Sequence, residues 1–120
     1  MTERKAAKKD DGQAAALAKI AAMPEPFRAI GERIHTVVLH SAPLLEATTW
    51  YGMPAYAKNG KTLCFFRADK KYMTFGLTQD VDLAPEPGAQ DKLMECAWYL
   101  TDLNEATEEK VARIVRKIAK

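Results

Sequence analysis

The sequence has 120 residues, 18 Lys and Arg against 16 Asp and Glu, a net charge of +2 and 48% hydrophobic residues. That is the length and apolar fraction of one ordinary folded domain, and the near balance of charge excludes a strongly basic nucleic-acid binder or an acidic ion sponge by bulk composition. No apolar run approaches the roughly 18 residues of a membrane span, so no membrane partner is expected.

In chain order, residues 1–12 alternate bases with acids and hold no apolar residue large enough to anchor them, which predicts a solvated, disordered tail. The start also lacks a signal peptide's apolar core, so a cytoplasmic protein is expected. Residues 13–120 are then a single domain. Residues 13–23 are alanine-rich with Leu17, Ile20 and Met23 as a thin apolar stripe, a short helix. Pro24 and Pro26 break it and start the next, because proline suits a first helical turn. Over residues 26–40, Phe27, Ile30, Ile34, Val37 and Val38 recur at intervals of three and four, placing them on one helix face, and Pro43 stops the run.

The middle of the chain reads as strands. Residues 47–51 are β-branched and aromatic, Gly52-Met53-Pro54 makes a bend, and residues 55–58 lead into Asn59-Gly60, a strong hairpin signal. Residues 61–67 are apolar on both faces, which suits a central strand. In residues 72–77, Met73, Phe75 and Leu77 share one face with period two. Together these predict a meander of three or four antiparallel strands. Residues 78–90 form a long connection with Pro85, Pro87 and Gly88, a place for a site or a mobile cover. A last strand is expected over residues 97–101. Asp102 and Glu105 have capping-box spacing before a closing helix over residues 105–119 that buries Val111, Ile114, Val115 and Ile118.

Little of the sequence points to catalysis. Ser41, the one serine, adjoins His40 with no nucleophile elbow around it. Cys64 lies among Leu63, Phe65 and Phe66 as a buried, inert thiol, and with Cys96 it forms neither a disulfide framework nor a zinc knuckle. Glu32 and His35, three apart on one helix, have a spacing that can hold one metal ion with help from elsewhere, although such a pair is more commonly solvated. The basic residues Arg113, Arg116, Lys117 and Lys120 share a helix face but suit a helix C-terminus and lack interleaved aromatics, so no nucleic-acid partner is expected. No glycine-rich phosphate cradle can be assembled. The reading is therefore not an enzyme. The densest segment is residues 49–56, where Trp50, Tyr51, Gly52, Met53, Pro54 and Tyr56 put three rings, a glycine and a proline together. Trp50 and Tyr56 are expected on one side, lining a sheet face or pocket rim, with Tyr51 on the other.

Trp50-Tyr51-Gly52-Met53-Pro54-Ala55-Tyr56, followed by Asn59-Gly60-Lys61 and the Phe65-Phe66 strand, resembles the signature of the YdhG-like family, small bacterial domains of unknown function, many described as frataxin-like intracellular iron chaperones. The resemblance covers about residues 27–118. It implies an α+β sandwich, with a curved antiparallel sheet of four to five strands packed against N- and C-terminal helices. Two functional expectations follow. The first is a small cytoplasmic binding domain without a cofactor, a monomer or weak homodimer, holding a small molecule or protein partner around the bend. The second, implied by the resemblance, is a frataxin-like iron chaperone that binds Fe(II) weakly through Glu25, Glu32, His35, Asp80, Asp82 and Glu86.

Overall fold

The chain's structure, a computed structural model, describes the backbone of residues 2–120 and the side chains of residues 11–120. Three helices and five strands follow one another: α1 (Thr2–Ala21), α2 (Phe27–Ser41), β1 (Glu46–Trp50), β2 (Met53–Lys58), β3 (Lys61–Ala68), β4 (Met73–Leu77), β5 (Ala97–Leu100) and α3 (Glu105–Ile118). The strands lie side by side in chain order, each antiparallel to the next. The fold is α+β as expected, and its five strands are the four of the predicted meander and the last strand expected near residues 97–101.

The stripe on α2 has the predicted consequence: Phe27, Ile30, Ile34, Val37 and Val38 are all buried. Gly31 lies on the same side, where a Cβ would stand 3.2 Å from Ile20 Cγ2 and from Phe66 Cε2, so its lack of a side chain lets α1 and the sheet approach α2 closely. Helix α1 differs from the reading in two ways. Residues 2–12, assigned to the tail, have helical backbone as the first half of α1. The stripe is also shifted, since Ala16, Ile20 and Met23 are buried while Leu17 is exposed.

Each hairpin shows why its turn forms. Tyr51 and Gly52 have φ of 50° and 77°, and Asn59 and Gly60 have 52° and 80°, the paired positive values of a two-residue turn that matches strand twist. The first of these corrects the predicted Gly52-Met53-Pro54 bend. Trp50 pairs with Met53, the turn is Tyr51-Gly52, and Met53 and Pro54 already belong to β2. Proline is tolerated there because it is the second residue of β2 and precedes the pairing with β3, which begins at Ala55, so its missing amide proton breaks no bond on that side.

In β3 the register steps by one. Tyr56 pairs with Cys64 but Ala57 with Thr62, which leaves Leu63 as an extra, unpaired residue. A bulge of this kind turns two successive side chains the same way, and Leu63 and Cys64 are both buried.

From these registers the sheet has two distinct faces. Ala47, Tyr56, Cys64, Phe66, Met73 and Phe75 point inward and join buried residues of all three helices in one core. The alternate positions, Thr48, Trp50, Met53, Ala55, Phe65, Arg67, Thr74, Gly76 and Tyr99, point to the opposite face.

Helix α3 buries Val111, Ala112 and Val115, with Ile114 and Ile118 packed at the margin. Its cap is Asn104 and not Asp102: Asn104 Oδ1 accepts from the Thr107 amide at 2.9 Å, while Asp102 Oδ1 accepts from the next residue, Leu103. Asn104 directly precedes the helix, so its side chain satisfies the first-turn donor that the capping-box reading gave to the earlier acid. Arg33 on α2 clasps Glu108 on α3, its Nε and Nη2 standing 3.0 and 2.8 Å from Oε1, and each group holds the other charged. Among the described residues no helix is long and apolar enough to cross a membrane.

Candidate binding site on the outer sheet face

The segment singled out in the sequence divides between the two faces. Because β1 and β2 pair as Trp50–Met53 and Ala47–Tyr56, Trp50 falls on the outer face and Tyr56 on the inner one. Trp50 and Tyr56 were expected together, so this corrects the reading. The two-residue turn between Trp50 and Met53 sets the parity that separates them. No cleft lies beneath Met53 and Pro54: Pro54 is buried, and Tyr56 is 0% exposed within the core.

Tyr56 is held by two aromatic neighbours and one hydrogen bond. Its ring stacks near Phe66, and its hydroxyl stands 2.8 Å from His35 Nδ1 on α2. Among the described residues the phenol has no other acceptor, so the shared proton is assigned to the phenol, which donates to Nδ1 of a neutral imidazole. Burial disfavours charge on both groups, lowering the His35 pKa and raising that of Tyr56. Protonating His35 would force Nδ1–H toward the phenol oxygen and leave the phenol proton with no acceptor. An unfolded chain has no such restriction and takes up its proton near pH 6.5. The unfolded state therefore binds more protons just below that pH, so stability is complete above it and declines as the pH falls. The midpoint of thermal unfolding is expected to drop from pH 7 to pH 5, with a smaller drop in His35→Gln. Equal drops in both proteins would assign the effect to other groups.

On the outer face the rings assemble. The Trp50 and Phe65 centroids are 5.1 Å apart, and Tyr51 meets Trp50 edge-on at 4.7 Å. Phe65 lies over Gly76 on the neighbouring strand, since a Cβ there would come 2.5 Å from Phe65 Cζ. A glycine thus supplies the flat bed on which the ring rests. Across the sheet, Tyr72 and Tyr99 form a second pair at 4.4 Å. Tyr51 is 84% exposed and Tyr99 68%, large apolar groups left in water. Tyr51 also holds a left-handed backbone at φ 50°, a conformation that costs a non-glycine residue about 1–2 kcal/mol and that Asn or Gly would adopt more easily.

Sequence reasoning missed Phe65, Tyr72, Gly76 and Tyr99. The signal was present for the first of them. In β3, Phe65 and Arg67 alternate with Cys64 and Phe66, and period two alone separates the outer pair from the inner one. The pairing of Tyr72 with Tyr99 depends on which strand lies beside β4, which local pattern does not carry.

The residues of the iron reading do not converge. Glu25 Oε1 accepts from the Ala29 amide, His35 Nδ1 is engaged by Tyr56, and Asp80, Asp82 and Glu86 lie exposed in the connection after β4. Among the described residues no three His, Cys, Asp or Glu side chains stand together as a metal site.

An open groove of about 690 Å³ runs between α2 and α3, lined by Arg33, Thr36, His40, Glu105, Glu109 and Arg116 among others. Its two arginines are neutralised in place, Arg33 by Glu108 and Arg116 by Glu109. Cys64 is buried, which pushes its thiol up to about 12 and leaves it unreactive, and Cys96 is exposed and free. No known protein family, curated protein or solved structure matches this chain.

Proposed function

We propose that this domain binds a flat, unsaturated ligand or partner group on the outer face of its sheet, around Trp50, Tyr51, Met53 and Phe65. The observation that carries this reading is the tilted ring contact of Trp50 with Phe65, centroids 5.1 Å apart, extended by a Tyr51 ring that is almost wholly in solvent. Rings that serve only as core are covered, as Tyr56, Phe66 and Phe75 are on the opposite face. A rigid aromatic surface offers large contact area at small cost in side-chain entropy, which is what a binding face needs. A strained backbone at Tyr51 is further support, because such strain gathers at functional positions. The family resemblance in residues 50–56 belongs to the same proposal, with the signature read as a turn that displays the rings of Trp50 and Tyr51 and buries that of Tyr56. The free cysteines favour a reducing compartment, and with it a cytoplasmic setting.

The two tryptophans make the test internal. Trp98 sits on the inner side near Phe75, with its indole N–H donated to Glu95. Titration with neutral heteroaromatic fragments such as indole and adenine, followed on the two indole N–H resonances by NMR, is expected to move Trp50 saturably and to leave Trp98 in place. Trp50→Ala is expected to abolish the response while keeping the fold. A Trp50 resonance unmoved at millimolar fragment would overturn the reading.

A further inference from the structure

We infer that the occupant of the outer face is a single strand of nucleic acid, lying across one end of the sheet with its bases on the rings and its phosphates on the turn between β3 and β4. This rests on the binding face proposed above and names its ligand class.

The meander brings several groups to the same end. In an antiparallel sheet ordered along the chain, β1, β3 and β5 all finish there. Trp50 closes β1, Tyr51 forms the next turn, Tyr99 is the penultimate residue of β5, and Tyr72 directly precedes β4. These four rings form two groups, Trp50 with Tyr51 and Tyr72 with Tyr99. Arg67 lies between them on the outer face, in a row with Thr74 and Tyr99 and two residues beyond Phe65. With strands about 4.8 Å apart and a rise of about 3.3 Å per residue, Phe65 on β3 and Tyr99 on β5, two strands and two residues apart, are separated by about 12 Å, room for unpaired bases on separate rings.

Charge at this end complements a phosphate chain. The segment Arg67 to Tyr72 contains Arg67, Lys70 and Lys71 against the single acid Asp69. Asp69 is already engaged, pairing with Arg67 at 3.3 Å and accepting from Thr74 Oγ1 at 2.7 Å. Lys70 and Lys71 are exposed and, among the described residues, form no ion pair. A nucleic-acid strand alternates flat rings with anions, and this end offers rings beside cations. A duplex hides its base faces and would meet only the cations. The expectation of no nucleic-acid partner rested on bulk charge and on the last helix, neither of which describes this end of the sheet. Stacking supplies the contact that a modest net charge does not.

The test uses the whole protein and a fluorescein-labelled oligothymidine of about ten nucleotides, a length within the usual range for stacking platforms. Saturable anisotropy is expected, with log K falling against log salt at a slope of about −1.4 for two phosphates neutralised by Lys70 and Lys71. Tyr99→Ser and Tyr51→Asn, the latter suited to a left-handed backbone, are each expected to weaken binding about tenfold. Lys70→Glu with Lys71→Glu should weaken it and flatten the salt slope. Circular dichroism of each variant checks that its fold is kept, and both tyrosines are exposed enough to be removed without opening the core. Equal affinity for a duplex, ring variants that bind as well as wild type, or no saturable binding would overturn the assignment. If neutral fragments still move the Trp50 resonance while the oligonucleotide does not bind, the face is a small-ligand site and only this inference fails. If neither acts, the binding face fails with it.

Discussion

Tyr56→Ala is expected to remove about 3–5 kcal/mol of stability, the usual loss when a large buried aromatic side chain is truncated. A domain of this size has a total of about 5–15 kcal/mol, so the variant will be partly unfolded at ambient temperature or close to it. The cause is specific. Tyr56 is fully buried, its ring lies near Phe66, and its hydroxyl is the partner of His35. Tyr56→Phe separates the two contributions, since it keeps the ring and removes only the hydrogen bond, at a cost of about 1 kcal/mol. Trp50→Ala should cost clearly less than Tyr56→Ala, because Trp50 is half-buried on the face away from the helices. Urea unfolding of the three variants measures all of this. Equal losses for Trp50→Ala and Tyr56→Ala would show that both rings are core and would remove the outer face as a site.

The second large effect is expected at Gly12. Glycine within a helix is ordinarily a weakness, and alanine should gain about 1 kcal/mol by propensity. Here the sign reverses. A Cβ on Gly12 would stand 2.6 Å from the backbone carbonyl oxygen of Ala47, in β1. That neighbour is main chain in a paired strand and cannot rotate away as a side-chain tip could. Helix α1 must move off β1, loosening the seat of Ala16 and Ile20 in the core. Gly12→Ala is expected to destabilise the domain by about 1–3 kcal/mol net, as overpacked contacts do, and Gly12→Val by more. A urea midpoint that rises in Gly12→Ala would show that α1 does not rest on β1.

Much of the architecture could be read from local pattern. The α2 stripe, the Asn59-Gly60 turn and the Met73–Phe75 alternation each rest on one period or one turn rule, and each is found in place. The errors have physical causes as well. Gly52-Met53-Pro54 looks like a bend because proline and glycine punctuate chains, but the turn took Tyr51 into a conformation tyrosine avoids. That shift of one residue sent Trp50 and Tyr56 to opposite faces. Leu63 shows the same limit, because a bulge is a property of two paired strands and leaves no mark in one strand's own period. Half of the ring surface was hidden in this way. Trp50 and Tyr51 stand out in sequence, whereas Phe65, Tyr72 and Tyr99 join them only through register.

The order of the strands bears on how the domain assembles. Every sheet neighbour is also the next strand along the chain, so successive hairpins can close in turn with short loops and no threading. The longest of these closures spans the connection between β4 and β5; the contact between Arg33 and Glu108 spans 75 residues and requires the sheet segment between them to be in place. The contacts that seat α1 on β1 at Gly12 and α3 on α2 at Arg33 therefore close longer stretches of chain than the β1–β2 hairpin does. The ring-bearing hairpin β1–β2, made of local pairs alone, is the part that can form first.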